Sequence, residues 1–446
     1  MDVSLEFKGK KITLMGLGLL GRGVGDAEFL AECGAELIIT DLKTAEQLEE
    51  SLERLSFYPN ITYVLGEHRF EDFEGRDMIL KAAGVPFDSP YIAHARESGV
   101  PIHMSGALFA RLSGIPIIAV TGSRGKSTTT GLIHHTLTRS TEGGSVHLGG
   151  NVRGVSNLQL LKKVQEGDIA VMELDSWQLQ GFGEAAMSPH IAVFTSFLPD
   201  HMDYYRGDMD AYFDDKAHIF SHQEAGDVFI TTPDVFAHVE KYVARTKHVL
   251  VEEVVLTDKD DVPIDWVLPI PGEHNRTNIA LAIEALRATT LSEESIREGI
   301  ETFEALSGRL EYLGEVHGVK VYNDNNATSP AATRAGLEAV SAEQNVILIM
   351  GGSDKRLDMK PLLEIIPTYA KDVILLPGTG SDSIESALPN AHKCHSLSEA
   401  VEEAFARAEA GDTILFSPAF ASFGLFKNEY DRNDQFVALI QDKMNS

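Results

Sequence analysis

The sequence is short of several things, and each shortage excludes something. Cysteine occurs twice in 446 residues, at Cys33 and Cys394. Two thiols so far apart allow one disulfide at most, exclude a disulfide framework and cannot alone make a cysteine-only zinc site. A reducing, cytoplasmic location is therefore expected. Cations are scarce beside acids: 38 Lys and Arg stand against 67 Asp and Glu, a formal net charge of −29. Phosphate backbones and anionic lipid need cationic surface, so neither nucleic acid nor membrane is expected as a partner. A local basic pocket for a small phosphorylated ligand stays compatible with that charge. No window reaches the roughly 18 apolar residues of a membrane span. The opening MDVSLEFKGKKITLMG has no long apolar segment behind a basic start, so no signal peptide is expected. Internal repeats and low-complexity tracts are missing too.

What is present is a chain with 43% hydrophobic residues, enough for sizeable cores, and a length that suggests about three domains. Short apolar runs alternate with longer amphipathic stretches, which predicts βαβ units and parallel sheets. The expected fold class is α/β in three domains: a Rossmann-like N-terminal domain over 1–104, a central P-loop-type ATPase domain over 105–305 and a Rossmann-like C-terminal domain over 306–446. The first block opens with KKITLMGLGLLGRG, in which a strand over Lys11–Met15 runs into Gly16, Gly18 and Gly21. A helix should follow, then a second strand, AELIITD, ending at Asp41. That layout suits a mononucleotide or dinucleotide, with phosphate at the turn and the acid near a sugar or base, although a ligand-free tight turn has the same pattern. The third block carries three further strand candidates, NVILIM, DVILLP and DTILFSP, each ending at small or polar residues where α/β folds place ligands.

The most informative stretch is VTGSRGKSTTT, which follows the apolar run IPIIAV. Gly122 and Gly125 let the backbone turn so that N–H groups face a phosphate, Lys126 can reach the β- and γ-phosphates, and Ser127 or Thr128 can offer a hydroxyl to Mg²⁺. The fuller Gly-rich pattern would have glycine at position 120, where this chain has Val120, so the loop is the shorter G-x-x-G-K-S. Acids for a metal follow: Glu173 ends the apolar run in VMELDSWQL, and Asp200, His201 and Asp203 follow HIAVFT. His274, Asn275 and Asn278 stand just before a clear helical pattern, where the Asn side chains could cap the helix or one could read a purine edge. Lys216, in DMDAYFDDKAHIF, reads on its own as a solvated lysine of an amphipathic helix.

In order, TGSRGKSTTT, GGNVRG, ELDSWQL, DHMDYY, Lys216, GEHNRTN, SGRLEY, NDNNATSP, GGSDK and SPAFASFGLFKN resemble the Mur ligase family over nearly the whole chain. Members join an amino acid to a peptide growing on a UDP-sugar. The N-terminal block, AAGVPFDSP and the closing SPAFASFGLFKN are most similar to the branch that adds D-glutamate to UDP-N-acetylmuramoyl-L-alanine. The resemblance implies an ADP-forming ligase of peptidoglycan precursor synthesis, and hence of cell wall biogenesis, cell shape and division. ATP would activate the alanyl carboxylate as an acyl phosphate, which the amine of D-glutamate displaces. Such chemistry is mainly positioning and charge neutralisation, so it needs no protein nucleophile.

By resemblance, Gly18, Leu19, Leu20, Asp41 and Gly84 hold the UDP part and Asn151 the sugar-peptide. ATP is contacted by Gly122, Ser123, Arg124, Gly125, Lys126, Ser127, Thr128, Asn278, Arg309 and Asp324. Thr328, Lys355, Ser422 and Phe423 face the D-glutamate carboxylates. Two Mg²⁺ ions are implied, one at Ser127 and Glu173, the other at His201 and Lys216, with Lys216 carbamylated by CO₂. Lys126, His201 and Lys216 are the expected catalytic set; the partners are small molecules and a monomer is expected. Three positions depart from the family pattern: Arg124 for the usual Asn, Asn326 for a Lys, and Glu429 for an apolar residue beside the amino-acid pocket. The last two remove a cation and add an anion near a dicarboxylic substrate, which bears on the choice of amino acid. A sibling ligase with another amino acid (including L-glutamate) or a folate-like acceptor is the nearest alternative. A dinucleotide oxidoreductase would leave the phosphate loop and the C-terminal motifs unexplained.

Overall fold

The computed structural model describes residues 3–19, 21–140, 144–248, 253–341 and 343–445. It divides into two compact units, Met1–Asp261 with Ala280–Gly299, and Val262–Ile279 with Ile300–Ser446. The first unit holds two sheets. One comprises β1 (Lys11–Met15), β2 (Glu36–Asp41), β3 (Ile61–Leu65), β4 (Met78–Lys81) and β5 (Ile102–His103) in the order β3-β2-β1-β4-β5. The other comprises β6 (Ile117–Thr121), β7 (Val146–Gly150), β8 (Ile169–Glu173), β9 (Ile191–Phe194), β10 (Val228–Thr231) and β11 (Val254–Leu256) in the order β11-β10-β9-β6-β8-β7. Every pairing in both is parallel. Strands of such sheets are covered on both faces and read as unbroken apolar runs. All five residues of β6, IIAVT, are buried for that reason.

Strand order decides where ligands go. In an open parallel sheet the crevice lies beyond the carboxyl ends of the strands where the order reverses. In the first sheet that point is between β1 and β4. In the second it is around β6, flanked by β8 and β9. One apolar cluster, containing Ile12, Leu14 and Leu37 of the first sheet and Ile117, Ala119 and Met172 of the second, underlies both.

The second unit holds β12 (Glu311–Val316), β13 (Val319–Asn323), β14 (Val346–Gly351), β15 (Ala370–Leu376), β16 (His392–Lys393) and β17 (Thr413–Phe416), ordered β12-β13-β17-β14-β15-β16. β12 runs antiparallel to β13. Separate clusters around Ile347, Ile349 and Ile414, and around Leu348, Met350 and Leu415, bury its two faces.

One expectation needs correction. The helix Glu273–Arg287 contains His274, Asn275 and Asn278 instead of following them. Asn275 therefore serves the first turn from within, its Nδ2 donating to Pro271 O at 2.7 Å. Cys33 and Cys394 are both buried and neither is in a disulfide.

Candidate active site

The carboxyl end of the first sheet opens on a cavity of about 400 Å³. Gly18, Leu19, Asp41 and Gly84, four of the five residues expected at UDP, line it together; the fifth, Leu20, lies outside the described residues. Asp41 does not wait for a sugar. Its Oδ2 accepts from the N–H groups of Leu17 (2.9 Å) and Gly18 (3.1 Å), and its Oδ1 accepts from Lys43 N at 2.9 Å. The acid at the end of β2 thus fixes the glycine turn after β1. Lys81, at the end of β4, is buried in the cavity wall; its Nζ donates to Val85 O (2.5 Å) and Ala82 O (3.2 Å) and sits 4.3 Å from the Phe87 ring centroid. Burial lowers its pKa to about 8.

The second sheet presents the phosphate loop after β6. Gly122 has a φ of 145°, and a Cβ built there would lie 2.0 Å from Thr195 Oγ1. Only glycine lets the loop pass the end of β9 at that distance. The helix Lys126–Ser140 begins directly after the turn, with Ser127 and Thr128 in its first turn. Lys126 Nζ folds onto Gly122 O at 2.9 Å and Ser123 O at 3.3 Å. Ser123 Oγ donates to Leu198 O at 2.8 Å, binding the loop to the segment after β9. Arg124, one of the three departures, pairs with Asp200 at 2.7 Å. Burial opposes charge on Asp200, but Arg124 and then His201 hold its pKa below the ordinary value.

Lys216 is not the solvated lysine that its helix pattern suggests. It is 1% exposed, and its Nζ donates to Gly122 O at 2.9 Å and to Thr121 Oγ1 at 3.4 Å, 4.9 Å from the Tyr212 ring centroid. Gly122 O thus receives both Lys126 and Lys216. Burial, then the Lys126 ammonium, pushes the Lys216 pKa well below its ordinary value. The His201 side chain is 39% exposed, its ring 4.6 Å from the Trp177 ring between centroids, and its partial desolvation there favours the neutral imidazole. Glu173, buried at the end of β8, accepts Asn151 N on its backbone oxygen at 2.7 Å and Asn151 Nδ2 on Oε1 at 3.4 Å. Asp175 caps the helix Ser176–Glu184 with a capping box. Among the described residues no group of three or more His, Cys, Asp and Glu is placed to hold a metal. A dense cage is therefore absent there, but Mg²⁺ keeps several waters and needs only one or two protein carboxylates beside substrate phosphate. A buried carboxylate, a helix-start hydroxyl and a neutral imidazole fit that sparse demand.

In the second unit the strand ends gather the remaining expected residues. Asp324 follows β13; its carboxylate accepts Ser417 Oγ at 2.9 Å and Leu310 N at 3.2 Å, and burial raises its pKa to about 7. Arg309 stands next to Leu310 in the turn so fixed. Lys355 Nζ, beyond β14, donates to Thr328 Oγ1 at 2.9 Å, so two of the four amino-acid residues meet directly. Ser422 is buried, whereas the Phe423 residue is 67% exposed and its carbonyl accepts from Ser353 Oγ. Asn278 Nδ2 donates to Asn275 Oδ1 at 3.2 Å. Sequence reasoning missed Arg432. It is completely buried and donates to Asn325 Oδ1 (2.7 Å), Asn325 O (2.9 Å) and Phe420 O (3.3 Å), fixing the loop between Asp324 and Thr328. Burial lowers its pKa to about 10. Its only sequence signal is a charged residue on the buried stripe of the helix Glu429–Asn445.

A glycine loop opening a helix at the centre of a parallel sheet, with buried acid and amine at the neighbouring strand ends, defines a phosphate-loop nucleotide-binding protein. A cavity of about 400 Å³ adjoins it at the end of the first sheet. The chain belongs to the Mur ligase family. Residues 120–252 match the Mur ligase middle domain, and residues 308–420 match the family described as Mur ligase, glutamate ligase domain. A UDP-N-acetylmuramoylalanine--D-glutamate ligase of Roseiflexus sp. (strain RS-1) is 35% identical over 98% of this chain and 99% of its own. A protein of the same name from Borreliella burgdorferi is 33% identical over 98% of this chain and 99% of its own. Among solved structures, MurF ligase from Thermotoga maritima in complex with ADP aligns with a TM-score of 0.61 at 16% identity, covering 99% of this chain and 96% of that one. UDP-N-acetylmuramate-alanine ligase MurC from the same organism aligns with a TM-score of 0.59 at 19% identity, covering 97% and 99%. These two likenesses concern the fold.

Proposed function

We infer that this chain is an ATP-dependent, ADP-forming ligase that adds D-glutamate to UDP-N-acetylmuramoyl-L-alanine in peptidoglycan precursor synthesis. The observation that carries the reading is the convergence, in one unit, of a nucleotide-sized cavity and a phosphate loop, joined by Arg22 of the cavity lining, which donates to Asn151, which in turn contacts Glu173 beside that loop. The full-length likeness to D-glutamate ligases supports the choice of substrates. We propose three functional blocks: 1–104 for the UDP-sugar, 105–305 for ATP, and 306–446 for the amino acid. The chain would act as a cytoplasmic monomer on small molecules; no helix among the described residues is long and apolar enough to cross a membrane.

In the proposed reaction Gly18, Leu19, Leu20, Asp41 and Gly84 form the uridine nucleotide site, with Asp41 acting through the turn it fixes. Asn151 orients the sugar-peptide. Gly122 to Thr128 surround the ATP phosphates, and Lys126 leaves Gly122 O and Ser123 O to meet the transferred phosphoryl group. The alanyl carboxylate attacks the γ-phosphorus and ADP leaves. The amine of D-glutamate then attacks the acyl carbon, phosphate leaves, and the nitrogen gives up a proton to complete the amide. Asn278, Arg309 and Asp324 would contact ATP. Thr328, Lys355, Ser422 and the Phe423 backbone would hold the amino-acid carboxylates. Bound Mg²⁺ would neutralise phosphate charge, held by Ser127 and Glu173 at one position and by His201 and Lys216 at the other.

Lys216 can serve a cation only if it stops being one. Its buried, neutral-favouring amine adds to CO₂, losing one proton and forming a carbamate. The carbamate nitrogen keeps one N–H for Gly122 O and supplies a carboxylate as an oxygen ligand. A sibling ligase with another amino acid is favoured by Asn326 and Glu429 alone. Phosphate release should require ATP, UDP-N-acetylmuramoyl-L-alanine and D-glutamate together, with the amide product confirmed by mass. Release with a different amino acid but not with D-glutamate would overturn the substrate assignment.

A further inference from the structure

We propose that Arg22 binds the diphosphate of the UDP-linked acceptor, an assignment that rests on the ligase reading. The glycine turn is usually credited with supplying phosphate donors through its backbone N–H groups. Here two of these, Leu17 N and Gly18 N, are already taken by Asp41 Oδ2. The diphosphate carries two negative charges, which a cationic side chain beside the turn would match. The cavity offers few cations. Lys43 Nζ lies 3.8 Å from Asp41 Oδ1, and Lys81 Nζ is held on the Val85 and Ala82 carbonyls.

Arg22 differs from both. It is the first residue of the helix Arg22–Glu32 and lines the same cavity. Its Nη1 donates to Asn151 Oδ1 at 2.6 Å, and among the described residues it forms no ion pair. That contact uses one of the five N–H donors of a guanidinium, leaving most of the fork to the cavity. Asp26, one turn on, feels the Arg22 charge but forms no ion pair with it among the described residues; its Oδ1 accepts Ser156 Oγ at 2.6 Å and Leu158 N at 3.2 Å.

The Asn151 contact fixes where the guanidinium stands. Asn151 N donates to Glu173 O at 2.7 Å, and β8, which ends at Glu173, pairs with β6, which runs into the phosphate loop. Arg22 is therefore placed between the nucleoside cavity and the strand ends where the carboxylate must react. In a UDP-sugar the diphosphate joins those two ends. A planar fork matches phosphate oxygens two at a time. Nothing in the pattern G-x-G-x-x-G asks for arginine at this position, so the glycine motif alone could not have revealed it.

The test is calorimetric binding of uridine, UMP and UDP to the full chain, its Arg22→Lys form and its Arg22→Met form at low salt, with circular dichroism as the folding control. Arg22→Met should weaken UDP by about 10- to 100-fold, as expected for lost charge-assisted hydrogen bonds, and uridine by less than about 2-fold. Arg22→Lys, which keeps the charge without the fork, should fall between. The acceptor KM should rise with UDP Kd while kcat changes by less than about 3-fold, within the ordinary meaning of lost uniform binding. Equal losses for uridine and UDP would reduce Arg22 to a structural role and overturn the proposal, as would unchanged UDP affinity in a folded Arg22→Met chain. A wild-type chain that binds UDP in this Arg22-dependent way but forms no amide would uphold Arg22 and sink the ligase reading. Amide formation with Arg22-independent UDP binding would do the reverse.

Discussion

Asp324→Asn should make the protein more stable at pH 8 while impairing its use of ATP. The carboxyl of Asp324 has a folded-state pKa of about 7, raised by burial against the opposing help of Ser417 Oγ and Leu310 N. In the unfolded chain it should titrate near the ordinary value of about 3.9. Between those values the folded protein binds the extra proton, so stability falls as pH rises from about 4 to about 7 and is flat above. Three pKa units correspond to about 4 kcal/mol at most. Asp324 keeps some contact with water, which screens the charge, so about 2 kcal/mol is the working figure at pH 8. Asparagine carries no charge; its one oxygen can accept from Leu310 N, and its NH₂ can donate to Ser417 Oγ, whose hydroxyl then turns to Thr333 Oγ1. Urea unfolding followed by circular dichroism at several pH values from 4 to 8.5 would measure the difference between variant and wild type. The gain should grow between pH 4 and 7 and then level off, while the KM for ATP rises. A pH-independent difference, or a variant less stable at pH 8, would refute the assigned burial of this carboxyl.

Lys126→Ala should leave the fold intact and drop kcat below a tenth of wild type; steady-state kinetics showing less than that loss of about 1.4 kcal/mol would contradict the phosphate-loop role. Lys216→Ala should be nearly inactive and partly restored by formate or acetate, which can occupy the vacated oxygen site; full activity, or a dead variant that no carboxylate rescues, would count against the carbamate. Gly122→Ala should be inactive and less stable by about 1–3 kcal/mol, since the added methyl would meet Thr195 Oγ1 at 2.0 Å; a thermal melt and an ATP-binding titration both matching wild type would show that the loop can yield.

The parts of this molecule that were legible from sequence are those where local chemistry and position coincide. Ile117–Thr121 reads as a buried parallel strand because four of its five residues, IIAV, are apolar and the fifth is β-branched, and Gly122 to Ser127 had to turn and start a helix. Lys216 shows the limit. Its neighbours Asp214 and Asp215 read as a solvated helix face, and the burial that lowers its pKa comes from Tyr212, Phe194 and the loop at Gly122, the last two brought over by the sheet. Asp41 was found as a site residue, but the pattern could not tell a sugar ligand from the anchor of its own turn. Arg22 and Arg432 escaped because their partners, Asn151 and Asn325, lie more than a hundred residues away. The helix Glu273–Arg287 began earlier than expected because Gly272 accepts from Asn275 and Arg276 through its carbonyl and so starts the turn itself.

The claim at the centre of this account is that ATP phosphorylates the acceptor carboxylate before the amine arrives. It is tested most directly with UDP-N-acetylmuramoyl-L-alanine carrying ¹⁸O in both alanyl carboxylate oxygens, supplied with ATP and D-glutamate, and mass analysis of the phosphate released. In the acyl phosphate one carboxylate oxygen bridges carbon and phosphorus and leaves with phosphate when the amine attacks carbon. The account predicts one ¹⁸O in the phosphate for each amide formed and the other retained in the amide carbonyl. Amide formation with unlabelled phosphate would contradict it.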